Sequence, residues 1–598
     1  MKLRKFIIPL AAVALAGCSF LKVSDSTTAT VDSSLETTSS GAVSHSGSAS
    51  DYALSISSPT SISVTETSAD FEISSDDGSF SSSGNVYTLT DEGTYTLSGK
   101  LTGQIVVNAG DDDDVEIVLN GVSLSYGLDS PIKVLNANKV EISASKDTGN
   151  IINDTRAHKS VENDDQGEGA ISAKADLKLK GKGILVVSSN YNNAVHTTKD
   201  LVVKNLTLKA TGYNNALKGK NSVTIESGVV QAYAQTGSGI KTDNSDLSSN
   251  GNQRGTIAIQ GGSVYVDSLR DGIDASYNVE ISEAESDVST SVSILTGKES
   301  SFYTSSFKAD SEKGLKSQND IIISAGTVII SASDDGIHAN YGETLGNSEK
   351  GTGNVTISGG IIKVISGDDG IHADNTLTIS GGVVIVAEAS EGIEANYVVI
   401  SGGDTYVYGT DDGVNASKKS FSNCSFTMNG GYLDVTVSSG DTDGIDTNGD
   451  FTLTDGIIVT RGGPGNAGGM STGLDADGTC KMTGGTLISF NGLEKAPTIS
   501  SGILYAGTSQ ANASNGMGGG KDGMHKEHSL ASSSSGTFEA GSYKLSGSNV
   551  DIEFVNTYSY SKFCVYSSSF ASSQTYSLSK GGSVLKSWTQ SSSSVTIS

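Results

Sequence analysis

Carboxylates recur at one place in a repeated phrase, in the one or two positions before a glycine. They are Asp271, Asp334, Asp335, Asp368, Asp369, Glu391, Asp411, Asp412 and Asp443. Seven of them precede four consecutive phrases, and no Lys or Arg inside those phrases is placed to neutralise them. If neighbouring repeats stack about 5 Å apart, each pair of like charges repels by about 3 kcal/mol at an effective dielectric constant of about 20. Ca²⁺ takes six to eight oxygen ligands and relieves such repulsion.

We therefore predict Ca²⁺ as the cofactor, bound by these nine residues together with Asp274. The alternative is that the Asp-Gly pairs are ordinary turns with solvated carboxylates.

The phrase itself is a small residue, a branched apolar residue, a variable polar residue and usually another small residue. It occurs thirteen times between Pro131 and Ala476, and six of the twelve steps are 21 to 24 residues long. A repeat of this length, made of short strands, is typical of a solenoid. Strand alternation places the variable residue away from the apolar face, so we expect this column to point to water.

The variable column changes its charge along the chain, from basic or neutral residues to acidic ones. It reads Lys133, Ser172, His196, Lys218, Lys241, Asp274, Lys316, His338, His372, Glu394, Asn415, Asp446 and Asp475. We predict that Lys241, Lys316, His338, His372 and Glu394 bind a ligand. For His338 and His372, which occupy adjacent repeats, the alternatives are a transition-metal pair, sugar contacts or ordinary surface residues.

One repeat contains three short apolar runs and two turns. Val355–Ser358 is followed by Gly359-Gly360, then by Ile361–Ile365, then by the phrase that begins at Gly370. Three strands in about 22 residues, with no helical period between them, predict an all-β fold, a single-stranded right-handed parallel β-helix of about 13 to 15 coils with a small C-terminal β cap. A propeller needs repeats of about 40 residues, and a Ca²⁺-binding roll needs a nine-residue period.

The remaining segments differ in composition from the repeats. Residues 1–18 are predicted to be a lipoprotein signal peptide with Cys18 acylated, 19–60 a Ser/Thr-rich tether, 61–506 the β-helix with its N-terminal cap, 507–536 a flexible loop and 537–598 a C-terminal β element. The protein would then be held on a membrane by lipid only, outside the cytoplasm, at the cell surface or outer membrane. Cys424, Cys480 and Cys564 are predicted to be free thiols, because two repeats of spacing are too long for a disulfide.

The formal net charge of -28 excludes nucleic acid as a partner, because no basic stripe offsets it. We expect a monomer. Several longer steps between phrases, such as 244–254, 341–353 and 418–423, are insertions that leave one edge of the repeats, and loops on a rigid scaffold often carry binding.

These residues resemble a known family. The run from Tyr87 through Leu101, the segment 115–124, the Asn150–Asp154 strand, the segment 170–177 and the GIHA-type phrases are similar to the carbohydrate-binding β-helix proteins of the clostridial acidic-polysaccharide-binding type. The resemblance covers about residues 85 to 590. It implies a right-handed parallel β-helix similar to pectate lyases, bound Ca²⁺, and binding of an acidic polysaccharide at the cell surface. Ala194 and Ala216 depart from the pattern, since many phrases begin with Gly.

Three functions follow as hypotheses. The first is non-catalytic, Ca²⁺-dependent binding of an acidic polysaccharide. The second is a polyuronate lyase, which needs Ca²⁺ and a basic residue such as Lys316 or Arg270. The third is an adhesin or structural rod without a glycan site.

Overall fold

The computed structural model describes residue 56 and residues 58–159, 166–284, 288–306, 309–346, 348–464, 471–508 and 538–597. The predicted signal peptide, Cys18, most of the predicted tether and most of 507–536 lie outside the described residues. Within the described part of the chain, no helix has the length and apolar character needed to cross a membrane.

The described chain is nearly all β. Its first strands are β1 (Glu72–Ser75), β2 (Phe80–Ser83), β3 (Val86–Leu89), β4 (Gly93–Thr102), β5 (Gln104–Asn108) and β6 (Asp114–Tyr126).

The strands of the first seven phrases come next, without an intervening α-helix in the described residues. They are β7 (Ile132–Asn136), β8 (Lys139–Ala144), β9 (Gly149–Asp154), β10 (Gly169–Ala173), β11 (Asp176–Gly181), β12 (Ile184–Ser189), β13 (Asn193–Thr197), β14 (Asp200–Lys204), β15 (Leu206–Gly212), β16 (Leu217–Gly219), β17 (Ser222–Ile225), β18 (Gly228–Ala234), β19 (Ile240–Lys241), β20 (Ile257–Ile259), β21 (Gly262–Ser268), β22 (Ile273–Ala275), β23 (Val279–Ile281), β24 (Thr290–Thr296), β25 (Leu315–Ser317), β26 (Ile321–Ile323) and β27 (Thr327–Ala332). A 3₁₀ turn at Gly297–Glu299 follows β24.

The strands of the last six phrases, and of the segments after them, complete this part of the chain. These strands are β28 (Ile337–Ala339), β29 (Tyr341–Thr344), β30 (Lys350–Thr352), β31 (Val355–Ile357), β32 (Ile361–Ser366), β33 (Ile371–Ile379), β34 (Val383–Ala389), β35 (Ile393–Ile400), β36 (Asp404–Gly409), β37 (Val414–Ala416), β38 (Ser425–Val437), β39 (Ile445–Thr447), β40 (Asp450–Arg461), β41 (Leu474–Ala476), β42 (Cys480–Met482), β43 (Thr486–Phe490), β44 (Thr498–Ile499) and β45 (Leu504–Gly507). The last six phrases lie in β28, β33, β35, β37, β39 and β41, of which β33 and β35 continue past the phrase.

The C-terminal strands are β46 (Gly541–Gly547), β47 (Val550–Asn556), β48 (Phe563–Ser567), β49 (Thr575–Lys580), β50 (Ser583–Thr589) and β51 (Ser594–Thr596).

Most strands belong to one large, mostly parallel sheet of 45 strands. From β7 to β25 each strand pairs in parallel with the strand three further along the chain, as in β7–β10–β13 and β8–β11–β14. The phrases form one ladder of their own, from β7 to β41. Neighbouring repeats therefore lie side by side along their whole length.

The predicted alignment of the phrases is confirmed residue by residue. Lys133 pairs with Ser172, Ser172 with His196, and the variable positions continue in this order through Asp446 to Asp475. Because the register does not slip at any step, side chains far apart in sequence form continuous files.

The core consists of the branched and small residues of each phrase together with apolar residues of the other two ladders. Ile337, Ile371 and Ile393 are fully buried, and each such side chain contributes about 1.5–3 kcal/mol when removed from water. The first residue of each phrase is small because there is no room for a larger side chain. A Cβ at Gly336 would lie 2.2 Å from Cγ1 of Val364 and 2.6 Å from the carbonyl oxygen of Gly370.

The C-terminal strands cover the last repeats. Strand β48 pairs antiparallel with β43 and with β45, and the four-stranded sheet β47–β46–β49–β50 packs through an aromatic cluster around Phe490. Arg461 is fully buried there, where it forms an ion pair with Asp434 and donates from Nε to Oδ1 of Asn556 at 2.7 Å. Cys424, Cys480 and Cys564 are buried free thiols, as predicted.

Candidate functional site

Two files of side chains follow the edge of the phrase ladder. We call the variable residues the phrase file, and the residues immediately before each phrase the turn file. The turn file contains Ser130, Gly169, Asn193, Asn215, Ser238, Asp271, Lys313, Asp335, Asp369, Glu391, Asp412, Asp443 and Thr472. Its alignment is continuous, because the backbone N–H of each phrase glycine donates to the carbonyl of the next turn-file residue, as Gly336 N–H does to Asp369.

The expectation that the phrase file points freely to water is wrong. Every member is half-buried or buried, and Glu394 is only 1% exposed. Insertions contribute to this burial, as Lys419 does by contacting Glu394, and insertions from distant parts of the chain also contact one another. The Gly346 N–H donates to Oγ of Ser245 at 2.8 Å, and the rings of Tyr341 and Phe421 lie 4.6 Å apart between centroids.

The first part of this edge forms an open groove of about 970 Å³, within the size range of ligand pockets. It extends over the four phrases from Ala194 to Gly272, or roughly 15–20 Å at the spacing of stacked strands. Its lining is Lys159, Glu168, Tyr191, Asn192, Asn193, His196, Tyr213, Asn214, Asn215, Lys218, Thr236, Gly237, Ser238, Lys241 and Arg270.

Two tyrosines from equivalent turns form part of the groove wall. Arg156 lies over the ring of Tyr191, 3.8 Å from its centroid, and His158 stacks on Tyr213 with centroids 5.1 Å apart. Both tyrosines begin the same four residues, Tyr-Asn-Asn-Ala, at 191–194 and 213–216. This repeated segment could have indicated the groove from the sequence. The sequence analysis missed it because it compared only the charged and polar positions of the repeats.

Amides continue the wall. Nδ2 of Asn215 donates to Oδ1 of Asn193 at 2.8 Å, and Oδ1 of Asn215 accepts the N–H of Ser238 at 3.0 Å. Such a chain fixes the orientation of each amide and leaves a polar surface suited to hydroxyl groups.

Cationic side chains predominate in the lining of the groove, and each forms an ion pair with a carboxylate. Four cationic side chains line the groove, Lys159, Lys218, Lys241 and Arg270, against the single carboxylate Glu168. Three of these cations have half-buried side chains. Each of the three forms an ion pair with a carboxylate, as Nζ of Lys218 does with Oδ2 of Asp243 at 2.6 Å. Burial and the nearby charge of Lys218 lower the pKa of His196 to about 4, so this imidazole is a neutral hydrogen-bonding group in the groove.

The middle of the edge contains cations that the sequence analysis overlooked. Lys313 occupies the turn file between Asp271 and Asp335, and its Nζ contacts Asp334 at 2.9 Å and Asp335 at 2.5 Å. Burial by itself would raise the pKa of Asp335. Hydrogen bonds from His338 and Lys313 outweigh that effect and hold this pKa well below its usual range. The expectation that no cation neutralises these acids is therefore wrong at Asp334 and Asp335.

Two further predicted metal ligands are also ion-paired. Nζ of Lys316 lies 3.3 Å from Oδ2 of Asp271, which also accepts from Oγ of Ser311 through its other oxygen at 2.5 Å. Lys241 forms an ion pair with Asp274. The predicted ligand residues Lys241 and Lys316 are thus brought to the same edge, but Lys316 does not line the groove.

Beyond Lys313, three carboxylates converge, and no Lys or Arg of the described residues forms an ion pair with them, although the imidazole of His372 contacts Asp369. One oxygen from each of Asp368, Asp369 and Glu391 lies within 4.8 Å of the others. Asp369 is 4% exposed, and its Oδ1 is buried without a hydrogen-bond partner. Burial, and then the hydrogen bond with Glu391, raise the pKa of Asp369 above its usual range. An all-oxygen set of this kind has the donor chemistry that Ca²⁺ prefers.

The last predicted acids are aligned but do not converge. Asp411, Asp412 and Asp443 contribute to no group of three metal-binding atoms among the described residues. Burial, followed by repulsion from Asp446, Asp443 and Asp411, raises the pKa of Asp412 to about 8.

The predicted ligand residues His338, His372 and Glu394 adjoin these acids. Asp335 groups with His338 and His372, and Asp369 with His372 and Glu394, with ligand atoms within 4.8 Å of one another. Oε1 of Glu394 accepts from Oγ of Ser417 at 3.0 Å, and its Oε2 lies 2.5 Å from Nζ of Lys419 and 3.3 Å from Nδ1 of His372. These side chains lie away from the groove.

Comparison with known proteins gives this edge a context. The profile of the carbohydrate-binding domain-containing protein family matches residues 83–347 and 343–442. The chain belongs to this family. A family member from Acetivibrio thermocellus is 32% identical over 126 residues, which is 20% of this chain and 44% of that protein, so the match spans less than half of the relative's length. The polysaccharide lyase-like protein from C. thermocellum, solved as a gadolinium derivative, is 31% identical over 36% of this chain and 84% of its own, with a TM-score of 0.33.

Proposed function

We propose that this protein binds an acidic polysaccharide, non-catalytically, in the groove between Tyr191 and Arg270. The observation that carries the proposal is the pairing of two tyrosines with four cations in one open groove of a carbohydrate-binding family member. Aromatic rings pack against the apolar faces of sugar rings, and cations pair with sugar carboxylates. The cations are needed because a chain with a net charge of -28 otherwise repels a polyanion.

We further propose that the three parallel ladders close into a right-handed β-helix. The supporting observation is that strands pair three apart along the chain, so that every third strand returns to the same ladder. Right-handed crossovers are strongly favoured for parallel strands. Such a rod presents the groove and the acidic cluster along one edge, where a single long chain can contact both.

We propose Ca²⁺ as a second component of binding, held by Asp368, Asp369 and Glu391. The three carboxylates supply hard oxygen ligands. Oδ1 of Asp369 is buried without a hydrogen-bond partner, so a cation bound there would compensate its lost hydration. A bound ion with free coordination positions can accept a carboxylate of the glycan, which turns an otherwise repulsive region into an attractive one. The protein's own role is to hold the three oxygens close together against their mutual repulsion.

We also propose that the protein is anchored outside the cytoplasm through lipid on Cys18. The support is the order of charged, apolar and small residues before Cys18 in the sequence.

The decisive experiment is a pull-down of the purified protein on immobilised polygalacturonate and on a neutral polysaccharide, each with and without EDTA. We expect retention on the acidic polymer only. Tyr213→Ala is expected to cost about 2 kcal/mol, or roughly 30-fold in affinity, if that ring is a central contact. Tyr303→Ala, which removes an exposed tyrosine outside the groove, is the matched control. Equal retention of wild type and Tyr213→Ala contradicts the assignment of the groove, and no retention on either polymer supports a structural rod.

The lyase hypothesis is tested in the same samples by ultraviolet absorbance of an unsaturated product. Release of that product from polygalacturonate would overturn the non-catalytic proposal.

A further inference from the structure

One ladder carries an outward-facing file of side chains that an earlier part of the chain covers. Backbone pairing aligns one residue each of β4, β6, β9, β12, β15, β18 and β21 without a break. We call these residues the outer file: Lys100, Ser123, Ile151, Val186, Lys209, Gln231 and Tyr265. They point away from the core because their neighbours in sequence, such as Leu208 and Val230, belong to it. Six steps of about 4.8 Å make the file about 29 Å long.

Residues 58–69, which we call the clasp segment, lie across the outer file. The N-terminal end of the segment is at the far end of the file. There the carbonyl oxygen of Thr60 accepts from Nε2 of Gln231 at 2.9 Å, a bond between residues 171 apart in sequence, and Ser58 forms a hydrogen bond with the hydroxyl of Tyr265. Gln231 and Tyr265 are only 2% and 6% exposed, although both face away from the core.

The C-terminal end of the clasp segment is at the near end of the file. The Thr67 N–H donates to Oγ of Ser123 at 3.0 Å, and the carbonyl oxygen of Ala69 accepts the N–H of Lys100 at 2.9 Å. The segment therefore runs from the seventh file position back to the first. Its eleven residue steps span about 36–40 Å when fully extended, so a nearly extended chain matches the length of the file.

The clasp segment is apolar where the file is apolar. The two aliphatic members of the file, Ile151 and Val186, lie near its centre. Between the polar ends of the segment, Ile62 is 8% exposed. Val64 lies against β9, because a Cβ added at Gly149 would be 2.6 Å from its Cγ1. An apolar centre with hydrogen bonds on both sides fixes the position and the direction of the segment.

The clasp segment is not part of the large sheet. None of residues 58–69 belongs to a strand, whereas the strands beneath them pair over their whole length. Single hydrogen bonds and two apolar side chains hold the segment, so it can leave the file without breaking the bonds between strands. We propose that residues 58–69 are a clasp that opens from Ser58 towards Ala69 while the sheet stays folded.

The closed clasp determines where the chain before residue 58 leaves the protein. That point is beside β21, about 29 Å from the level of β4, which is the distance along six stacked strands. Arg270, at the end of the groove lining, follows β21 directly. A lipid anchor on Cys18 would therefore hold the protein beside its groove. This consequence depends on the anchor proposed above, whereas the clasp itself does not.

The test is the distance between spin labels on Ser61→Cys and Thr102→Cys, two exposed positions, measured by double electron–electron resonance. The protein is the full chain with Cys18→Ser, and its other three cysteines are buried. In the closed state the labels are five strand steps apart, so we expect one narrow distance of about 25 Å. In the open state eight flexible residues connect position 61 to Ala69, which gives a broad distribution centred near about 16 Å.

Ile62→Asp combined with Val64→Asp places two charges on the apolar centre. This double variant should show the broad distribution, with the far-ultraviolet circular dichroism of the β strands unchanged. Ser63→Asp, at the exposed position between them, is the matched control and should keep the narrow distance. A broad distribution without these changes, or a narrow distance in the double variant, overturns the clasp. Loss of the β signal in the double variant overturns its opening independently of the sheet.

Discussion

Replacing Asp412 by Asn is expected to stabilise the protein at pH 8 in EDTA. Asp412 lies in the turn file between Glu391 and Asp443, and no Lys or Arg forms an ion pair with it among the described residues. Its Oδ1 accepts the N–H of Asp443 at 2.7 Å, a bond that the amide oxygen of Asn keeps. The substitution therefore removes a half-buried charge while it preserves the hydrogen bond.

The sign follows from the raised pKa of about 8, against an ordinary value of 3.8. Between about pH 4 and pH 8 the folded protein holds this proton and the unfolded chain does not, so the free energy of unfolding falls as the pH rises through this window. At 1.36 kcal/mol for each pH unit, the upper limit at pH 8 is about 5 kcal/mol. Partial exposure and screening reduce the expected gain from Asp412→Asn to about 2 kcal/mol.

The assay is thermal unfolding of wild type and variant in EDTA from pH 4.5 to pH 8. A gain of about 2 kcal/mol corresponds to a rise in Tm of roughly 4 °C at pH 8, and the difference should vanish near pH 4.5. Asp441→Asn, at an exposed position of the neighbouring turn, is the matched control and should change little. A lower Tm for Asp412→Asn at pH 8 would refute the reasoning, because it would mean that the carboxylate is needed in its charged form.

Three further outcomes are expected. Arg461→Met removes the ion-pair cation of buried Asp434 and should cost about 3–5 kcal/mol, seen as early loss of the C-terminal sheet in hydrogen exchange; unchanged protection would contradict the anchoring role of this pair. Charge reversal at Lys218 and Lys241 should abolish retention on polygalacturonate in affinity electrophoresis, whereas Lys481→Glu, at an exposed site far along the chain, should not. Adding Ca²⁺ after EDTA should raise the Tm of wild type but not that of Glu391→Gln, and an equal rise in both would exclude the carboxylate cluster as the Ca²⁺ site.

The alignment of the phrases was predictable from the sequence because one repeated pattern determines it. Each phrase has the same small and branched residues, so only one register buries Ile337, Ile371 and Ile393 together. The order of the variable residues along the edge, from Lys133 to Asp475, follows from that register alone.

The environment of those residues was not predictable in the same way. Lys419 and Ser311 reach the edge from turns and insertions whose paths the repeat does not specify. Asp374 reaches it from the part of β33 that follows the phrase, outside the repeated pattern. Lys313 was missed because only carboxylates were compared at the position before each phrase glycine, which Lys313 occupies before Gly314. The two Tyr-Asn-Asn-Ala segments can be read from the sequence. Their place in a groove could not be predicted, because it depends on neighbouring strands that bring Lys218 and Lys241 beside them.

The most direct test of polysaccharide binding is a crystal structure of the protein with a short oligogalacturonide. We predict a sugar ring against Tyr213, with carboxylates on Lys218 and Lys241. An oligosaccharide bound elsewhere on the surface, with the groove occupied by solvent alone, would contradict the assignment.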